Sequence, residues 1–150
     1  MEQARTLIRS HERFIPCLPP RSTHQSGSTI LKTKEGRYFV GKNKKGKQVA
    51  NELYIIAMQG RPSEPFTGAV SLTIAFCFPY RKSETKLNKS KQHLPHTNRP
   101  DCDNLAKALL DAMQKANWFK DDAIVNELRI TKSYNQRQGL FLCLREFQYE

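Results

Sequence analysis

The chain has 150 residues, a formal charge of +11 and a pI near 9.7, enough length for one domain with its own core and a charge that suits a polyanion, nucleic acid being the commonest. Its four cysteines, Cys17, Cys77, Cys102 and Cys143, form no CxxC pair, which argues against a zinc ribbon or a disulfide framework. No stretch approaches the roughly 18 apolar residues of a membrane span, and Met1–Glu12 lacks the apolar centre of a signal peptide, so a cytoplasmic, reducing setting and no membrane partner are expected.

In chain order, residues 1–12 are expected to be a loose N-terminal extension ahead of a domain over 13–150. Phe14-Ile15-Pro16-Cys17-Leu18 reads as a short first strand, stopped by Pro19-Pro20. Thr29–Lys32 and Arg37–Val40 flank a turn carrying Gly36, and Lys42–Gly46 reads as a basic, glycine-bounded loop. Val49, Leu53, Ile56 and Ala57 recur at helical spacing, which predicts a helix over 47–59 stopped by Gly60 and Pro62.

Ala69–Pro79 alternates Val70, Leu72, Ile74, Phe76 and Phe78 with small residues, the pattern of a strand with one core face. Tyr80–Pro100 has no hydrophobic period and is rich in Lys and Arg, so it reads as a long loop, either functional or disordered. A second helix is predicted over 104–117 from the stripe Leu105, Ala108, Leu109, Ala112, Met113 and Ala116. Strands over 124–134 and 140–147 follow, joined through Asn135–Gly139, the last apolar enough to be covered on both faces. These elements predict an α+β fold in a single domain with about two helices.

All the aspartates of the chain lie between Asp101 and Asp122. In an extended segment, residues two apart share a side, so Asp101 and Asp103 present two carboxylates just before the helix. Asp122 is the candidate third ligand, provided the chain runs back along the helix from Trp118, because about 13 helical residues span about 20 Å. Such a set suits Mg²⁺, which takes oxygen ligands and can assist phosphodiester hydrolysis. Lys107 follows Asp103 by one turn, placed for a phosphate oxygen or for the Asp103 carboxylate. The plainer alternative makes Asp103 an N-cap and Lys107–Asp111 an exposed pair. Asp121 reads as a turn residue and Trp118-Phe119 as a plug under the helix end. His93, His96 and Cys102 lack a fourth zinc ligand. An Asp-x-Asp phosphatase would place its pair after a buried strand, whereas Pro95–Pro100 is polar.

The run Arg99-Pro100-Asp101-Cys102-Asp103-Asn104-Leu105-Ala106-Lys107, then Asp111-Ala112-Met113, Asp121-Asp122-Ala123 and a strand ending in Thr131-Lys132, resembles the RusA family of Holliday junction resolvases. Phe14-Ile15-Pro16 and Pro19-Pro20-Arg21 resemble the family's opening strand and proline turn. The departures are Cys102, at a position usually aliphatic, and a long, lysine-rich 80–99 loop. The resemblance implies a homodimeric, Mg²⁺-dependent (or Mn²⁺-dependent) endonuclease that resolves four-way DNA junctions by paired nicks in recombination and repair, with no other small-molecule cofactor. It implies Asp101, Asp103 and Asp122 as metal-binding catalytic carboxylates and Lys107 as a catalytic lysine. It also implies a mixed sheet in which the strand opening at Asp122 lies beside the helix start. Phosphate contacts are expected from Arg81, Lys82, Lys86, Lys89, Lys91 and Arg99, from Lys42, Lys44 and Lys45, and from Lys132. The alternative function is a protein that binds branched DNA without cutting it.

Overall fold

A computed structural model describes residues 3–22, 28–42, 44–91 and 93–150, with the side chains of 28, 29, 42 and 45 outside the described set. The elements are β1 (Arg5–Ile15), β2 (Ser28–Lys32), β3 (Tyr38–Lys42), α1 (Lys44–Gly60), β4 (Val70–Phe78), α2 (Lys86–Lys89), β5 (Leu94–Pro95), α3 (Cys102–Lys115), a 3-10 turn (Asp122–Ile124), β6 (Val125–Tyr134) and β7 (Gly139–Tyr149). The five-stranded sheet has the order β1-β7-β4-β6-β5. It is mixed: β4 and β6 are parallel, and the other pairs are antiparallel. The fold is therefore α+β with a mixed sheet, as expected.

Alternation along β4 sends Leu72, Ile74 and Phe76 to one face, where they register with Leu144, Leu142 and Leu140 of β7. The apolar stripe of α3 (Leu105, Leu109, Met113) and that of α1 (Leu53, Ala57) join the same buried cluster. Trp118 and Phe119, both fully buried, close the core under the end of α3. The Trp118 indole N–H donates to the Ala57 carbonyl at 2.8 Å, so its one polar group is satisfied inside. No helix among the described residues is long and apolar enough to cross a membrane.

Two expectations change. Residues 5–12 are not a loose extension: they form most of β1, paired with β7 from Arg5↔Tyr149 to Ile15↔Leu140. Their side chains are largely exposed, so main-chain pairing with β7 holds this strand together with polar contacts, Arg9 donating to the Pro65 carbonyl at 3.2 Å and His11 Nε2 lying 2.7 Å from the Gly60 carbonyl. The expected basic loop over 42–46 is also shorter, since Lys42 closes β3 and α1 starts at Lys44. Gly46 falls in the first turn, where the helical ladder has not closed and a poor helix former costs little. The hairpin β2–β3 forms as predicted, with Gly36 at φ +87° in its turn.

Candidate active site

Asp101 is the N-cap of α3 with extended backbone (φ −74°, ψ 150°), and its carbonyl accepts the Leu105 N–H at 3.0 Å. Its carboxylate makes no capping bond, which leaves it free for a ligand. Asp103 follows in the first turn, exposed like Asp101. The segment leading to them is pinned from the sheet. Lys132 near the end of β6 donates through Nζ to the carbonyls of Asn98 and Pro100, each at 2.7 Å, across the cis peptide bond Arg99–Pro100. The Lys132 carbonyl in turn accepts the His96 N–H at 3.2 Å.

Asp122 sits elsewhere. Its N–H donates to Gln114 Oε1 at 3.0 Å, and Gln114 belongs to the last turn of α3. Burial first, and then the negative charges of Asp121 and Asp111, raise the Asp122 carboxyl above the usual carboxylate range. Asp121 is a turn residue as expected, its Oδ1 accepting the Ala123 N–H at 2.9 Å.

The strand opening at Asp122 therefore lies beside the end of α3, not beside its start as the resemblance implied. The topology requires this. The chain crosses from β4 to the parallel strand β6, so α3 must run back along the sheet and release the chain where β6 begins. Fourteen helical residues hold Asp101 and Asp122 toward opposite ends of a rod about 20 Å long. Among the described residues, no three His, Cys, Asp or Glu side chains are grouped to hold a metal ion. The Asp101–Asp103 pair alone fits a hard divalent cation that keeps several waters: it offers oxygen donors only, both residues are exposed, and the Asp101 carboxylate is not engaged in capping.

Lys107 is exposed on α3 between the two acidic ends, and among the described residues it has no ion-pair partner. Of the expected phosphate contacts, Lys82, Lys86, Lys89, Lys91 and Arg99 are exposed in the 80–99 connection, and Lys44 is exposed at the start of α1. Arg81 is engaged with Glu84 at 3.0 Å and lies 4.9 Å over the Tyr134 ring. Lys132 is a correction: both recorded bonds of its ammonium go to main-chain carbonyls, so it shapes the site and is not held out toward solvent. Lys42 and Lys45 lie outside the described residues as side chains.

The 80–99 connection is organised. Glu84 also accepts from Asn88 Nδ2 at 2.6 Å, Thr85 caps α2 through the Asn88 N–H at 3.2 Å, and Tyr80 donates to the Lys89 carbonyl at 3.2 Å. His96 lies between aromatic rings, stacked on Tyr134 at 4.6 Å and tilted against Phe78 at 4.5 Å. Sequence reasoning missed Gln114, Asn98 and the clamp by Lys132. The only sequence signal for the last was the position of Lys132 at the end of a strand, which carries no distance.

A family model described as endodeoxyribonuclease RusA matches residues 18–145. The uncharacterized protein YqaN of Bacillus subtilis is 29% identical over 118 residues, covering 75% of this chain and 82% of that protein. The crossover junction endodeoxyribonuclease RusA of Escherichia coli K12 is 48% identical over 40 residues, 27% of this chain and 33% of that protein. The protein of the same description from Aquifex aeolicus is 34% identical over 56 residues, 37% of this chain and 44% of that protein. The chain thus spans under half the length of these two named resolvases, while the family match starts after β1 and runs through α1, β4, α3 and β6 into β7. By that match the chain belongs to the RusA family of endodeoxyribonucleases and is a nuclease.

Proposed function

We propose that the protein is a Mg²⁺-dependent endonuclease that resolves four-way DNA junctions by paired nicks as a homodimer, in DNA recombination and repair. The observation that carries this is the pair Asp101 and Asp103, held free at the start of α3 by the Lys132 clamp in a chain of charge +11. Asp101 and Asp103 would hold the cation, and Asp122 of a second copy would complete the set that one chain leaves divided. A bound cation supplies Lewis acidity to the scissile phosphate and acidifies the attacking water. Lys107 meets a phosphate oxygen, and the exposed lysines of the 80–99 connection track the backbone with salt-dependent, sequence-blind affinity. A symmetric dimer presents two such sites to a substrate of approximate two-fold symmetry.

The cytoplasm is the proposed compartment, in keeping with four unpaired cysteines, of which Cys17 is made unreactive by burial that raises its thiol to about 11. The second reading, a non-cleaving junction binder, is favoured by the distance of Asp122 from the pair. A nicking assay on a synthetic four-way junction separates them. Paired, Mg²⁺-dependent nicks are expected, and salt-sensitive binding with no metal-dependent cutting would overturn the enzyme reading.

A further inference from the structure

Directly before Asp101 the chain walls a cavity of about 410 Å³, within the size range that accommodates small ligands. Phe78, His96 and Tyr134 line its inner wall, His96 lying between the other two rings, tilted 45° to Phe78 and 19° from parallel with Tyr134, and Tyr80 adds a fourth, half-exposed ring. The Asn98 side chain donates to the Tyr134 hydroxyl at 3.1 Å, and the Asn98 N–H donates to His96 Nδ1 at 3.3 Å. The latter bond leaves Nε2 as the proton-bearing nitrogen of a neutral ring. Arg21, Lys82 and Arg99 are exposed at the same cavity, Arg81 lies over Tyr134, and among the described residues no acidic side chain lines it.

A planar, partly apolar interior with a cationic mouth suits a ligand that has a ring at one end and phosphates at the other. A base inside a duplex cannot present itself this way, because both its faces are stacked. Pro100 lines the cavity, and its carbonyl is one of the two held by Lys132, so the wall and Asp101 belong to one pinned segment. A nucleotide in the cavity would therefore neighbour the phosphate presented to Asp101 and Asp103.

We infer that this cavity receives one nucleotide extruded from the strand to be cut, its base against the aromatic wall and its flanking phosphates on Arg21, Lys82 and Arg99. The inference rests on the nuclease reading and adds a source of substrate choice to it. Extrusion from continuous duplex loses both stacking and pairing, whereas a nucleotide at a branch point has already lost part of each. The cavity then favours junctions over duplex without reading sequence.

The test uses four-way junctions carrying a single mismatch at successive positions beside the nick, bound by the full chain without metal. One position should tighten binding by about tenfold relative to the paired junction, since a mismatch supplies part of the extrusion energy in advance. A 2-aminopurine at that position should change its fluorescence on binding. Tyr80→Leu, and separately the double variant Arg21→Gln with Lys82→Gln, should abolish the mismatch gain. Equal affinity for paired and mismatched junctions, or a gain that survives both variants, would overturn the cavity assignment. Mg²⁺-dependent nicking of the paired junction is scored in parallel: its presence beside a missing mismatch effect removes only the cavity, and its absence removes the nuclease reading.

Discussion

The Lys132 ammonium donates to the Pro100 carbonyl at 2.7 Å, one residue ahead of Asp101. A lysine that reads from sequence as a phosphate contact thus holds the main chain that presents a carboxylate. Hydrogen bonds from charged donors contribute about 1.5–3 kcal/mol each. Lys132→Met should lower stability by about 2 kcal/mol and slow junction cutting by about 10- to 100-fold. The slope of binding affinity against salt should stay as in the parent. A slope smaller by about one would return Lys132 to the phosphate contacts.

Because α3 separates Asp103 from Asp122, the two should be interchangeable between copies. Asp103→Asn and Asp122→Asn are each expected to bind junctions and fail to cut them, since an amide lacks the charge a hard cation needs. Mixing the two variants should restore cutting, as single nicks, because half of the possible pairings then contain one intact site. No recovery after co-refolding, with mixed dimers demonstrated, would place the ligand set within one chain.

Stability should depend on pH through the two half-buried or buried histidines. Burial, and then the positive charges of Lys132 and Arg81, holds His96 below its ordinary 6.5. His11 is lowered by burial first, opposed by its bond to the Gly60 carbonyl. The unfolded chain therefore binds more protons below pH 6.5, and the stability these neutral rings contribute is present above that value and lost as pH falls toward the folded-state pKa. Each can add a slope of at most about 1.4 kcal/mol per pH unit. Urea midpoints at pH 7.5 and 5.5 should converge in His96→Phe, and partly in His11→Gln. An unchanged acid loss in both variants would assign it to carboxylates.

Trp118 is fully buried and hydrogen-bonded to Ala57. Trp118→Ala should cost about 3–5 kcal/mol, and Trp118→Phe about 1–3 kcal/mol, as it strands the Ala57 carbonyl. Thermal unfolding checks both. A loss under 1 kcal/mol for the alanine variant would mean that the residue is not the plug between α1 and α3.

What the sequence made legible followed from periodicity. The α3 stripe and the β4 alternation are dictated by which side chains can be buried, and both elements appear within about two residues of their expected bounds. β1 escaped because Arg5, Arg9, His11 and Arg13 carry no hydrophobic signal: the strand is set by main-chain pairing with β7 and by polar side-chain contacts, such as Arg5 with Glu127 and His11 with the Gly60 carbonyl, that leave no periodicity. The Asp101–Asp103 pair was legible from its place just ahead of the α3 stripe, but its geometry was not: α3 begins at Cys102, so only Asp101 is extended and Asp103 stands in the first helical turn. The location of Asp122 depends on which end of a 14-residue helix the chain leaves, and the direction of β6 relative to β4 decides that. Spacing along the chain has no term for that direction.

The network of Glu84 with Arg81 and Asn88 has a thermodynamic consequence for encounter with DNA. A floppy lysine-rich loop would lose about 1–2 kcal/mol of backbone entropy per residue on settling along a phosphate chain. With Thr85–Ser90 already wound into a capped turn, that loss is taken during folding. In the proposed complex with DNA, the cations of α2 would meet the phosphates at fixed spacing, and more of their attraction would remain as affinity.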